Sequence, residues 1–396
     1  MMPIIESLTH LGLGRADDGA LFDRTLPGEI VDTEGRIEKP SPSRVTAPCR
    51  HFKSCGGCAM QHAHDDFVAE WKTTIVRRAL SAHGIAPDFH ETLTSPPQSR
   101  RRAKFSGKRT KKGAMVGFHG KGSGTLVQIP DCALLLPSLR AAIPALEALT
   151  VLAASRKSEI ALTVTDSPAG LDIWVQTEQP LTPALRVELA GFSQQNKIAR
   201  LSWMDETVVT LESPVQTFSS AHVTPPPGAF LQATREGEKA LTKAVSTIVG
   251  DARQIIDLFA GCGTFSLPLA QNAEVHAVEG EAEMLAALDQ GWRKATGLKR
   301  VTTQTRDLFR RPLEPDELNK FDAAVIDPPR AGAEAQIATL AQSNVPKIAM
   351  VSCNPVTFAR DAAHLVANGF ALEWVQVVDQ FRWSPHVEMV AKFAQS

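Results

Sequence analysis

The chain has 396 residues, 43% of them apolar and 21% charged, with a net charge of −1. That length exceeds the roughly 250–300 residues that one hydrophobic core supports, so two or three domains are expected. The near-neutral balance excludes recognition of a polyanion through the overall field. The opening "MMPIIESLTHLGLGR" lacks the basic and long apolar regions of a secretory signal, and no run reaches the ~20 apolar residues of a membrane span. Six cysteines are too sparse for a disulfide framework. A soluble, cytoplasmic protein is therefore expected, in a reducing setting where clustered cysteines bind metal more often than they pair.

In chain order, residues 1–45 carry short alternating stretches such as "GEIVDTEGRIEK" and predict a few small strands. "KPSPS" at 39–43 reads as a linker. "CRHFKSCGGC" at 49–58 then places three cysteines within ten positions. The next stretch has helical periodicity, with Phe67, Trp71, Ile75 and Ala79 on one face and Gly84 as a stop. Eight Lys or Arg lie between Arg100 and Lys112. From there to about 215, alternation in "SEIALTVTDSPAGLDIWVQ" predicts an antiparallel sheet with a connecting helix. "TPPPGAF" at 224–230 precedes a helix expected over 234–249. Beyond 250, short apolar strands alternate with amphipathic stretches, the rhythm of a parallel, doubly wound sheet. The expected organisation is an α/β chain with a small β segment (1–45), an α+β central domain (46–215) and a C-terminal Rossmann-like domain (216–396).

"DLFAGCGTFSLPLA" joins an apolar strand to an apolar helix through Gly261-x-Gly263. Glycines at such a turn let the backbone approach a ligand. The next strand ends in Glu279, an acid suited to a ribose diol, and Asp307 follows the strand after that. With no further phosphate-binding loop, the pattern fits S-adenosylmethionine better than a dinucleotide. Two later strands end in chemistry: Asp327 in "AVIDPPRAG" and Cys353 in "MVSCNP". Ligands of open α/β sheets bind beyond the carboxyl ends of the strands, so both face the crevice of the glycine loop. Cys353 is a candidate nucleophile there. Glu388, set among apolar residues in "SPHVEMVAKF", is either a surface carboxylate or a general base with a raised pKa.

"CRHFKSCGGC", "RRRAKF", "FLQ", "DLFAGCGTFSLPLA", "DPPRAG", "VSCNP" and "HVEMV" occur in this order over nearly the whole chain. In this the chain resembles the S-adenosylmethionine-dependent RNA uracil-5-methyltransferases, enzymes that make 5-methyluridine in rRNA and tRNA. The resemblance implies a methyltransferase domain in which Cys353 is the nucleophile, Glu388 the proton acceptor and Asp327 part of the cofactor and target pocket. It implies cofactor contacts from Gln232, Phe259, Gly261, Thr264, Glu279, Asp307 and Asp327, with Thr264 standing where relatives often carry Asn. A monomer acting on RNA is expected, with 23S rRNA favoured over tRNA. The alternatives are a tRNA enzyme or a non-catalytic, metal-stabilised RNA-binding protein.

Cys49-x5-Cys55-x2-Cys58 supplies three thiolates, and a tetrahedral sulfur site needs a fourth. The resemblance makes Cys132 that fourth ligand, completing a [4Fe-4S] cluster; four-cysteine zinc stays open as the alternative. Arg100, Arg101, Arg102 and Lys104 begin a positive stripe suited to phosphate contacts. Residues 1–45 stand where some relatives carry the RNA-binding TRAM barrel, here in a reduced version.

Overall fold

The computed structural model describes residues 2–395. Its largest sheet has eight strands in the order 301–305, 274–279, 254–258, 323–326, 347–352, 389–395, 370–379 and 88–94. The first five run parallel, as the strand–helix alternation predicts. Met389–Gln395 then inserts antiparallel between Lys347–Ser352 and Phe370–Asp379. Ala323–Ile326 is buried throughout, the mark of a strand covered on both faces. The chain order reverses between Gln254–Leu258 and Ala323–Ile326, which opens a crevice at the carboxyl ends of those strands.

Helices cover both faces. Arg235–Val249 buries Leu241, Ala244, Val245, Ile248 and Val249, one apolar stripe, and Thr234 caps it by accepting the Gly237 N–H. The helix after the glycine loop is shorter than its apolar run predicts, spanning only Ser266–Leu269. The N–H groups of Asn272 and Ala273 both turn back onto the Leu269 carbonyl and send the chain into its next strand.

The helix Asp65–Ser81 and the strand Asp88–Thr94 fall within the stretch expected to belong to the central domain. In the structure the strand extends the large sheet beside Phe370–Asp379, and Val76 and Leu80 of the helix join that sheet's core. A buried ion pair holds the helix there: Lys72 Nζ lies 2.5 Å from Asp379 Oδ1 and donates to the Phe381 carbonyl.

The central sheet has seven strands and is antiparallel except at one place. Gly170–Gln176 and Ile198–Trp203 pair in parallel, because the helix Pro183–Gln195 carries the chain back across the sheet between them. At the N-terminus, Ile5–Leu8, Gly14–Ala16 and Leu21–Phe22 form a three-stranded sheet beside the hairpin of Ile30–Val31 and Ile37–Lys39. Arg44 pairs with the fully buried Glu29 carboxylate through Nε and Nη2, tying this segment to the chain that follows. Among the described residues, no helix is long and apolar enough to cross a membrane.

Candidate active site

The glycine loop leaves the strand Gln254–Leu258 through Phe259, whose φ of 62° lies in the left-handed region that glycine favours. Such a conformation in a bulky residue persists only where packing holds it, here against Phe309 with ring centroids 5.4 Å apart. Gly263 must be glycine, since a Cβ there would stand 2.8 Å from Leu288 Cγ. Gly261 has open space: the nearest atom to a Cβ would be Met284 Sδ at 3.9 Å. Glu279, at the end of the neighbouring strand, accepts the Gly261 N–H at 3.0 Å and the N–H groups of Gly280 and Glu281. Its carboxylate is thus held rigidly beside the loop with lone pairs left over. Asp307 accepts the Phe309 N–H at 3.0 Å at the end of the following strand. Thr264 faces a neighbouring cavity of about 330 Å³ shared with Glu238, Lys239 and Lys243.

Across the crevice, Asp327 and Glu388 are bridged by two glutamines. Gln232 Nε2 donates to Asp327 Oδ2 at 3.3 Å, and Gln380 Nε2 donates both to Gln232 Oε1 at 2.5 Å and to Glu388 Oε2 at 3.0 Å. Glu388 is 3% exposed, which decides between the two sequence expectations in favour of a buried carboxylate. Burial, with the Asp327 charge adding to it, holds the Glu388 carboxyl well above the ordinary carboxylate range. Burial and the nearby Asp257 push Asp327 up to about 7. Cys353 is half-buried, and burial with the Glu388 and Asp327 charges pushes its thiol up to about 12, while Arg330 acts the other way. Asn354 carries the turn after Cys353, accepting the Val356 N–H and donating to the Arg330 carbonyl at 2.8 Å.

The sequence pattern did not single out Phe309, Gln380, Arg330 or Asp257. A signal existed for Asp257, a carboxylate inside an apolar strand like Glu388 inside its apolar run. For Gln380 there was none, since two of its three partners, Gln232 and Ala233, lie 148 and 147 residues away.

The four cysteines of the expected metal set line one cavity of about 360 Å³, with Arg100, Phe118 and His386. Asp131, next to Cys132, lies 2.6 Å from His51 Nε2 and 2.8 Å from Arg50 Nε, which closes the two cysteine segments on each other. Burial raises the thiols of Cys55 and Cys132, and that of Cys58 to about 12. Among the described residues, no three His, Cys, Asp or Glu side chains converge tightly enough to hold a single ion as they stand.

The basic run divides. Arg101, 2% exposed, pairs with Glu238 and donates to the Gln232 carbonyl, so its guanidinium is committed to the fold and cannot meet a phosphate. Arg100 lines the cysteine cavity and lies 5.8 Å from the Phe381 ring centroid. Arg102 donates to the Gly228 carbonyl. Lys104, at the edge of the same cysteine cavity, and Lys108 stand exposed on their strand.

The sheet order, glycine loop and buried carboxylates define a methyltransferase of the doubly wound α/β class. A model of the family described as tRNA (Uracil-5-)-methyltransferase matches residues 294–394. A Mesorhizobium japonicum protein named as an RNA methyltransferase is 43% identical over 96% of this chain and 94% of its own length. The 23S rRNA (uracil(1939)-C(5))-methyltransferase RlmD of Nitrosococcus oceani is 30% identical over 99% of this chain and 95% of its own. The crystal structure of the Pyrococcus abyssi tRNA (uracil-54, C5)-methyltransferase with S-adenosyl-L-homocysteine shares the fold, with a TM-score of 0.75 over 100% of this chain and 99% of that one at 21% identity. The chain belongs to the RNA uracil-5-methyltransferase family.

Proposed function

We propose that this protein methylates C5 of a uridine in 23S rRNA through a covalent bond between Cys353 and C6 of the base. The observation that carries this reading is the convergence of Cys353, Asp327 and Glu388 at one crevice, the two carboxylates joined by buried glutamines. The choice of 23S rRNA rests on the name of the Nitrosococcus oceani relative.

S-adenosylmethionine, bound here, supplies an electrophilic methyl group. The residues present fit it: Gly261 leaves room for it, Glu279 is held to accept from a ribose diol, and Phe259 offers an aromatic face. Gln232, Thr264, Asp307 and Asp327 complete the set.

Uracil C5 is a weak nucleophile. Attack of the Cys353 sulfur on C6 pushes the C5=C6 electron pair toward the C4 carbonyl and makes C5 an enolate carbon, while the thiol proton passes to Asp327. Once C5 carries the new methyl group, Glu388 takes the C5 proton, the C–H pair re-forms C5=C6, and the C6–S bond breaks with its electrons on sulfur. The sulfur regains its proton from Asp327, so the cysteine is not consumed. The base must first leave its stack, at roughly a few kcal/mol.

Wild-type enzyme with 5-fluorouridine RNA should give a covalent adduct, seen as a shifted band on a denaturing gel. Cys353→Ala should give no band yet still bind RNA, and Glu388→Gln should trap the adduct on ordinary RNA. No adduct with the wild type sinks the mechanism. Mapping 5-methyluridine in rRNA and tRNA of a deletion strain identifies the target.

We assign Cys49, Cys55, Cys58 and Cys132 to a [4Fe-4S] cluster. The four thiols line one cavity, and four-cysteine ligation serves such a cluster. Lys104 and Lys108 are assigned to RNA phosphates, and residues 1–45 to a reduced TRAM-like RNA-binding unit.

A further inference from the structure

Gln380 follows the strand Phe370–Asp379 and is 2% exposed. Its Oε1 accepts the backbone N–H of Ala233 at 2.7 Å. A backbone N–H only donates, so this contact fixes which end of the Gln380 amide is oxygen. Both hydrogens of Nε2 are then committed, one to Glu388 Oε2 and one to Gln232 Oε1. With its oxygen thus occupied, Gln232 must aim its own Nε2 at Asp327. One side chain therefore sets the direction of every hydrogen bond between the two carboxylates.

The seat for this side chain is built into the neighbouring helix. Gly237, in the first turn of Arg235–Val249, would with a Cβ come within 2.6 Å of Gln380 Cβ and 3.1 Å of its Oε1. Glycine is disfavoured inside a helix relative to alanine. Here it lets the helix approach closely enough to enclose the amide.

We infer that Gln380 is a positioning residue for the methyl-transfer reaction, holding one Glu388 oxygen in a hydrogen bond and leaving the other free to take the C5 proton. This rests on the covalent mechanism proposed above. The groups facing Glu388 are Asp327 from the end of Ala323–Ile326 and Cys353 from the end of Lys347–Ser352. Arg330 lies beside Cys353, Asp257 behind Asp327, and the Arg101–Glu238 pair bonds to the Gln232 carbonyl. Gln380 is the group that donates a hydrogen bond to the Glu388 carboxylate, and such a bond favours the charged form.

The test uses full-length holoenzyme carrying Gln380→Met, which keeps length and packing but has no donor, beside Gln380→Glu, which keeps shape. Two rates are measured from pH 6 to 9: adduct formation on 5-fluorouridine RNA, which needs no C5 proton transfer, and turnover on uridine RNA. For Gln380→Met, trapping should stay within about threefold of wild type, while turnover at neutral pH falls about tenfold or more and its rise with pH moves up by about one unit. Uridine RNA should accumulate the covalent band. Gln380→Glu, lacking the donors, should not restore turnover. Equal loss of both rates with an unmoved pH profile, or wild-type turnover in either variant, overturns the inference. A wild-type enzyme that traps no 5-fluorouridine adduct instead refutes the mechanism on which it rests.

Discussion

Cys353, Asp327 and Glu388 form a set whose protonation is mutually dependent, because burial penalises every charge and the carboxylates oppose one another. Asp257 sits behind them, fully buried in its strand, with Oδ2 receiving the Ser266 hydroxyl at 2.5 Å and Oδ1 without a partner. Burial raises its carboxyl from 3.8 to about 7. A carboxyl raised in the fold favours the folded state below its unfolded pKa, and that contribution is lost as pH climbs through the folded value. Stability should therefore fall as pH rises from about 4 to 7, where Asp257 ionises in the unfolded chain but stays protonated in the fold, by roughly 4 kcal/mol at most. Asp257→Asn, unable to ionise, should melt above the wild type at pH 8 in cofactor-free protein, with the gap closing at pH 4. An equal gap at both pH values would rule out this account.

At the scale of elements, the strand Arg102–Arg109 shows what alternation does to a basic run. Ala103, Phe105 and Gly107 face the core, which sends Lys104 and Lys108 outward. Arg100 and Arg101 precede the strand, and neighbouring structure claims them. Each lysine that contacts a phosphate releases counterions, so log affinity for RNA against log salt should be shallower by about 1.5 in Lys104→Ala/Lys108→Ala. An unchanged slope would remove the strand from the RNA surface. Arg101→Ala should act differently, lowering stability by about 3–5 kcal/mol because it strands the Glu238 carboxylate.

Over the whole molecule, the cysteine cavity joins three parts of the chain. Cys49, Cys55 and Cys58 come from the segment after the N-terminal sheets, Cys132 from the stretch after the strand Leu126–Gln128, and Ser384, Pro385 and His386 from the loop leading to Glu388. The backbone N–H groups of Ala59 and Met60 both donate to the Trp383 carbonyl, so the cysteine loop also fixes that third part directly. Anaerobically purified protein should be brown, and Cys132→Ser should lose the colour and melt at lower temperature. A colourless wild type holding one zinc would refute the cluster. Because the cavity borders the loop leading to Glu388, loss of the proposed cluster should also disturb the active site.

Periodicity and turn residues determined the parallel sheet, the glycine loop and the helix Arg235–Val249, since each depends on neighbours a few positions away. Strand-end chemistry singled out Cys353 and Asp327 for the same reason. Pairing across long separations was not legible. Nothing local assigns Asp88–Thr94 to the large sheet, distinguishes the buried Arg101 from the exposed Lys104, or makes Gln380 more than one polar residue after a strand. Those outcomes follow from which surfaces exclude water and which donors remain to satisfy buried carboxylates. Only the tertiary structure decides that.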